Sequence, residues 1–194
     1  MEDVLSALAD AGYTVQSLTD LRDSPVLYEE AIPVLLAWLP RTTDLGQREE
    51  IVRCLTVRWA RSDALGPLLR EFETLPLAPA TARTENLRWA VGNALEVLWD
   101  DARYSDLVRL ANDERFGAAR EMLVLGFARS KHPSAADDLV TLLDDPVVDG
   151  HAVAALRKRR AAPPPEALPA LERLRGDRRA WVRKEAARVL GRLT

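Results

Sequence analysis

The apolar positions between Glu166 and Leu193 set a pattern that recurs along the chain. Ala167, Leu168, Leu171 and Leu174 fall on one helical stripe, and Val182, Ala186, Val189 and Leu193 on a second. Three- and four-residue steps of this kind predict amphipathic helices. Gly176 and Asp177 lie between the stripes, where a helix stop and a new cap belong. The segment therefore reads as a helical hairpin. The proline in its first helix, Pro169, has counterparts at Pro33 and Pro67, 34 residues apart. Proline is tolerated in the first turn of a helix, which has no internal acceptor for the missing donor. The second helices align on Leu95, Leu125, Leu156 and Leu190, at steps of 30, 31 and 34, with Trp59 as the matching core residue further upstream.

This spacing predicts five hairpins. Their first helices cover roughly 27–39, 64–74, 104–111, 135–143 and 166–174. Their second helices cover roughly 47–61, 85–99, 117–130, 149–159 and 180–193. The longest loop is 75–83, with two prolines. Residues 1–24 are expected to be a helical cap over the first hairpin, because an array exposes an apolar face at each end. The reading is an all-α chain: an α-solenoid in residues 25–194 behind an N-terminal cap at 1–24, forming one domain overall.

The last hairpin resembles a known repeat. Asp177, Val182, Arg183, Glu185, Ala186, Ala187, Leu190 and Gly191, with Pro169 upstream, resemble a HEAT repeat of the short bacterial type also found in phycobilin lyases. The segments RWAVGNAL, GAAREMLVLG and DGHAVAAL are similar to a small bacterial HEAT group without an assigned activity. The resemblance covers about residues 25–194. It implies a right-handed α-solenoid, and scaffolding more than chemistry. It also implies an Asp–Arg ladder at the inter-helix turns. Asp177 and Arg183 match the ladder and Arg88 matches its Arg, whereas Val52 and Ala118 depart from it and Asp149 takes the Arg place in the fourth hairpin. Asp149 and Arg183 are accordingly expected to face each other as an inter-repeat ion pair.

Composition narrows the function classes. The chain has 194 residues, nearly half of them hydrophobic, so disorder by composition is excluded. No apolar run is long enough for a membrane span, and the acidic start is unlike a secretory signal. The single cysteine, Cys54, lies on an apolar stripe and reads as a buried thiol. A cytoplasmic location is expected. The net charge of −3 hides an asymmetry, since residues 157–194 hold twelve Lys or Arg against four Asp or Glu. A basic end on an acidic body suits an acidic partner there.

In such an array the second helices line one face, usually concave. The register places Trp89, Asn93, Arg120, His151, Lys184, Glu185 and Arg188 on that face. The small residues Ala90, Ala119, Gly150 and Ala154 among them should leave room for a ligand. An exposed Trp beside Arg and Asn is a good anchor for a partner. Glu121 falls on the core side, with His151 and Arg88 as its nearest plausible partners, and is expected to hold adjacent repeats in register. No metal-ligand motif, phosphate loop or nucleophile elbow occurs, and no cofactor is expected. The leading reading is a non-enzymatic binding module for a protein partner. Nucleic-acid binding of the HEAT-like DNA-glycosylase kind ranks second, because the basic charge is confined to one end. A tetrapyrrole lyase or chaperone ranks third.

Overall fold

The computed structural model describes residues 3–78 and 81–193. The described residues contain no strand. Their twelve α-helices are α1 (Val4–Asp10), α2 (Leu18–Arg22), α3 (Ala31–Trp38), α4 (Leu45–Leu55), α5 (Arg61–Thr74), α6 (Ala82–Val97), α7 (Tyr104–Asn112), α8 (Arg120–Gly126), α9 (Ala135–Leu142), α10 (Asp149–Lys158), α11 (Leu168–Leu174) and α12 (Ala180–Leu190). The chain divides into two compact units, Met1–Leu98 and Trp99–Thr194.

Each unit is a stack of three helical hairpins. In the first, α1, α3 and α5 pack in one row while α2, α4 and α6 pack in another. In the second, α8, α10 and α12 form the row of second helices, with α7, α9 and α11 each packed on its hairpin partner. The repeating hairpins are those of an α-solenoid. The segment expected as a cap is itself a hairpin: Val4 and Leu8 of α1 and Leu18 and Leu21 of α2 are buried. Fully burying each such side chain stabilises the fold by about 1.5–3 kcal/mol. Local signals start these helices where the side chains can cap them. Asp3 accepts from the Ser6 amide, Ser17 from Asp20 and Asp44 from Gln47, and Thr81 and Thr84 form a reciprocal capping box. Pro79 and Ala80, in the longest loop, lie outside the described residues.

Two second helices are shorter than the periodicity predicts. Helix α4 stops at Leu55, where the Thr56 hydroxyl donates to the Val52 carbonyl and Val57 is extended. A short 3-10 turn, Arg58–Ala60, then leads into α5. Trp59 therefore leaves the helix and is 41% exposed, and Cys54 and Leu55 take the core positions assigned to it. The predicted helix 117–130 is likewise interrupted. Gly117 adopts φ +49°, a left-handed conformation that favours glycine, and α8 begins only at Arg120.

Arginines fasten one helix end to the next. Arg88 donates to the Phe72 carbonyl in the last turn of α5 and to the Leu75 and Pro76 carbonyls just beyond it. Arg159 donates to the Phe127 and Ser130 carbonyls that follow α8, at 2.8 and 2.9 Å. Arg173 reaches Leu143 after α9, and Arg192 reaches Leu156, Arg157, Arg160 and Ala161 at the end of α10. The last carbonyls of a helix have no internal donor and carry the negative end of its dipole, so a guanidinium fork suits them.

Candidate interaction surface

Helix α6 of the first unit buries Leu87, Arg88, Ala90, Val91, Ala94 and Leu95. Trp89 stays 42% exposed and Asn93 half-buried. Both line a cavity of about 260 Å³ together with Arg22, Arg53, Thr56, Val57 and Ala90. Glu50 balances the two guanidinium groups, at 3.0 Å from Arg22 and 3.6 Å from Arg53. The site is an indole wall beside an amide and two carboxylate-paired arginines. It offers apolar contact area with polar groups that can fix an orientation.

In the second unit, His151 and Trp181 meet edge to face with ring centroids 5.4 Å apart. The His151 Nε2 atom lies 4.0 Å from the Glu121 carboxylate. Burial, reinforced by the Arg179 charge, lowers the His151 pKa against the opposing pull of Asp149. Its imidazole is thus neutral at neutral pH, and the Glu121 contact is not an ion pair there. Burial raises the Glu121 pKa. That residue is only half-buried, on the rim of the core rather than inside it. Lys184 and Arg188 are exposed on α12, and Glu185 pairs with Arg157 and with Arg188 at 2.9 Å.

Arg120 does not belong to an open face. It is 1% exposed, and its Nη1 donates to Asp145 at 2.6 Å and to the Ala111 carbonyl at 3.2 Å, while Nε donates to Gly117 at 3.1 Å. The Gly117 kink shifts the phase of α8 and turns this side chain inward. Burial alone would raise the Asp145 pKa, but the Arg120 hydrogen bond and the Val147 and Val148 amides bring it below the usual range. The small residues also leave less room than expected. Ala90, Ala119 and Gly150 are buried, and a Cβ at Gly150 would sit 2.5 Å from the Trp181 ring.

The ladder forms with a different arginine. Arg179 pairs with Asp149 at 2.7 Å and with Asp177 at 2.9 Å. Arg183 instead donates to the Asp177 and Arg178 carbonyls, so the expected Asp149–Arg183 pair is replaced. Arg179 stands at the start of α12, where the turn delivers it to the preceding hairpin, whereas Arg183 is one turn inside the helix and exposed. The Arg179 hydrogen bonds hold the Asp177 carboxyl at about 2. Arg88, the third ladder residue, is buried on the carbonyls at the end of α5. Cys54 is fully buried as expected, its thiol donating to the Leu18 carbonyl at 3.2 Å and pushed by burial up to about 12.

Two exposed indoles escaped the register. Trp181 is 43% exposed, and Trp59 packs edge to face on Tyr28. The glycine opposite Trp181 was the available signal, because Gly inside a helix marks the close approach of a large neighbour. The second histidine, His132, stacks on Tyr104 at 3.8 Å. Among the described residues no group of three or more His, Cys, Asp or Glu is placed to hold a metal ion, and no helix is long and apolar enough to cross a membrane.

No curated protein and no solved structure gives a significant match to the chain. Residues 104–191 match a family model described as HEAT repeats. That span runs from the start of α7 to the end of α12 and contains the Asp149–Arg179–Asp177 ladder. Over this span the chain is similar to HEAT repeats.

Proposed function

We propose that the chain is a non-enzymatic, cytoplasmic binding module that holds a protein partner on the exposed sides of its second helices. HEAT repeats commonly serve as protein-interaction scaffolds, and the arrangement of side chains is consistent with that use. The observation that carries the proposal is Trp89. A large aromatic left 42% exposed beside Asn93, Arg22 and Arg53 has the make-up of an interface anchor. In the other unit, Trp181 with His151, Lys184 and Arg188 offers a second patch of the same kind. The burial of Arg120 counts against the nucleic-acid alternative, because a guanidinium spent on Asp145 and two carbonyls is not available to a base or phosphate.

The test is an affinity capture that compares wild type with Trp89→Ala and Asn93→Ala, each checked for unchanged helical circular dichroism. Truncating a genuine anchor costs about 2 kcal/mol or more in binding, about thirty-fold in affinity. If both variants fold and retain every partner of the wild type, Trp89 is not the anchor.

A further inference from the structure

The second unit carries a cleft unlike the surface just described. It lies at the C-terminal ends of α8 and α10 and has a volume of about 560 Å³. Its lining is Ala128, Arg129, Ser130, Lys131, Lys158, Arg159, Arg160 and Ala161. Five of these eight residues are cations and none is a carboxylate.

Helix C-termini attract cations, so some positive charge here has a structural purpose. Arg159 fills that role, with its guanidinium on the Phe127 and Ser130 carbonyls. Each helix end carries the equivalent of about −0.5 charge, so two ends offset about one of the five cations. The cations Lys131, Lys158 and Arg160 remain, and the carboxylate that reaches the lining, Asp101, is held by the Ser130 hydroxyl at 2.6 Å and the Lys131 amide at 2.7 Å. Lys131, Lys158 and Arg160 are exposed and make no ion pair or side-chain hydrogen bond among the described residues. Like charges held closer than the roughly 8 Å screening length repel one another, and a bound anion would relieve that repulsion.

We infer that this cleft is a docking site for an acidic peptide segment of a protein partner, held by Lys131, Lys158 and Arg160 with Arg129 at the edge. A run of carboxylates matches a groove whose cations line a single pocket of ligand size. Nucleic acid fits less well, because duplex binding draws on many phosphate contacts along an extended basic face. Residues 1–98 carry fifteen Asp or Glu against nine Lys or Arg, a balance unfavourable to phosphate contacts. The inference assumes a protein partner but stands on residues separate from Trp89.

The test is fluorescence anisotropy with a labelled hexaglutamate peptide and the full chain. Wild type should bind, and its affinity should fall as salt rises from about 50 to about 300 mM. The variant Lys131→Glu/Lys158→Glu/Arg160→Glu should bind at least about ten-fold more weakly with unchanged helical circular dichroism. The single changes Lys131→Gln and Lys158→Gln, milder for folding, should each weaken binding about two- to five-fold. Trp89→Ala should leave peptide binding unchanged, so failure of one site is readable apart from the other. Absence of peptide binding at low salt overturns the inference. So does equal binding by the folded charge-reversed chain, or tighter binding of a hexathymidylate than of the peptide.

Discussion

Arg120 offers the sharpest test of how the second unit is held together. Its guanidinium is 1% exposed and bridges three places: the Asp145 carboxylate at 2.6 Å, the Ala111 carbonyl in the last turn of α7, and Gly117 in the kink before α8. Arg120→Ala removes all three bonds and leaves a hole where one of the largest fully buried side chains stood. Breaking a buried ion pair by deleting one partner costs about 3–5 kcal/mol. The lower end applies here, because Asp145 keeps 17% side-chain exposure and the Val147 amide at 2.9 Å. We expect a loss of about 3 kcal/mol, which for a chain of this size lowers Tm by about 6–12 °C. Urea unfolding followed by circular dichroism measures it directly. A cycle with Asp145→Asn isolates the pair term, expected at about 1.5–3 kcal/mol for a charge-assisted bond. If Arg120→Ala costs less than about 1 kcal/mol, the side chain is not the brace described, and the open-face placement of Arg120 returns.

Further outcomes rest on the same geometry. Gly126→Ala places a Cβ 2.8 Å from Cζ3 of the buried Trp99, so it should destabilise by about 1–3 kcal/mol in denaturant unfolding despite the better helix propensity of Ala. Cys54, with its thiol buried and pushed up to about 12, should react with a disulfide reagent only through unfolding, its labelling rate tracking denaturant in the way global opening does. Asp145 and Asp177 both have folded pKa values below the ordinary carboxylate range. Their contribution is present above about pH 4 and is lost as the pH falls toward about 2, so Tm measured across that window should drop, and less so in Arg120→Ala. Arg179→Gln should raise the His151 pKa, read from imidazole proton shifts against pH, because a nearby positive charge is removed.

The hairpins were legible because their apolar steps are regular and their turns carry Gly or Asp at the stops. The burial of Cys54, Val91, Ala152 and Ala186 matched the same count. The register failed where the backbone left the α-helix. At Thr56 a hydroxyl–carbonyl bond ends α4 early, so Trp59 falls in a 3-10 turn instead of at the core position its spacing predicts. At Gly117 a positive φ rotates α8 relative to a continuous helix, and Arg120 turns from solvent to core. Periodicity assumes continuous helix and cannot detect either break. The exchange of Arg183 for Arg179 has another cause. Arginines four residues apart share a helix face, and only the geometry of the turn decides which one meets Asp149. Trp89 and Asn93 lie on an unbroken helix, and both came out on the accessible side of α6.

Arg159 and Arg192 reach back across the hairpins to main-chain oxygens. A carbonyl is supplied by every amino acid, so such a seam makes no demand on the identity of the side chains it crosses. A neighbouring hairpin can change its outer residues freely, and with them what it recognises, while the joint that carries it stays intact. Architecture and recognition are in this way written in separate parts of the repeat.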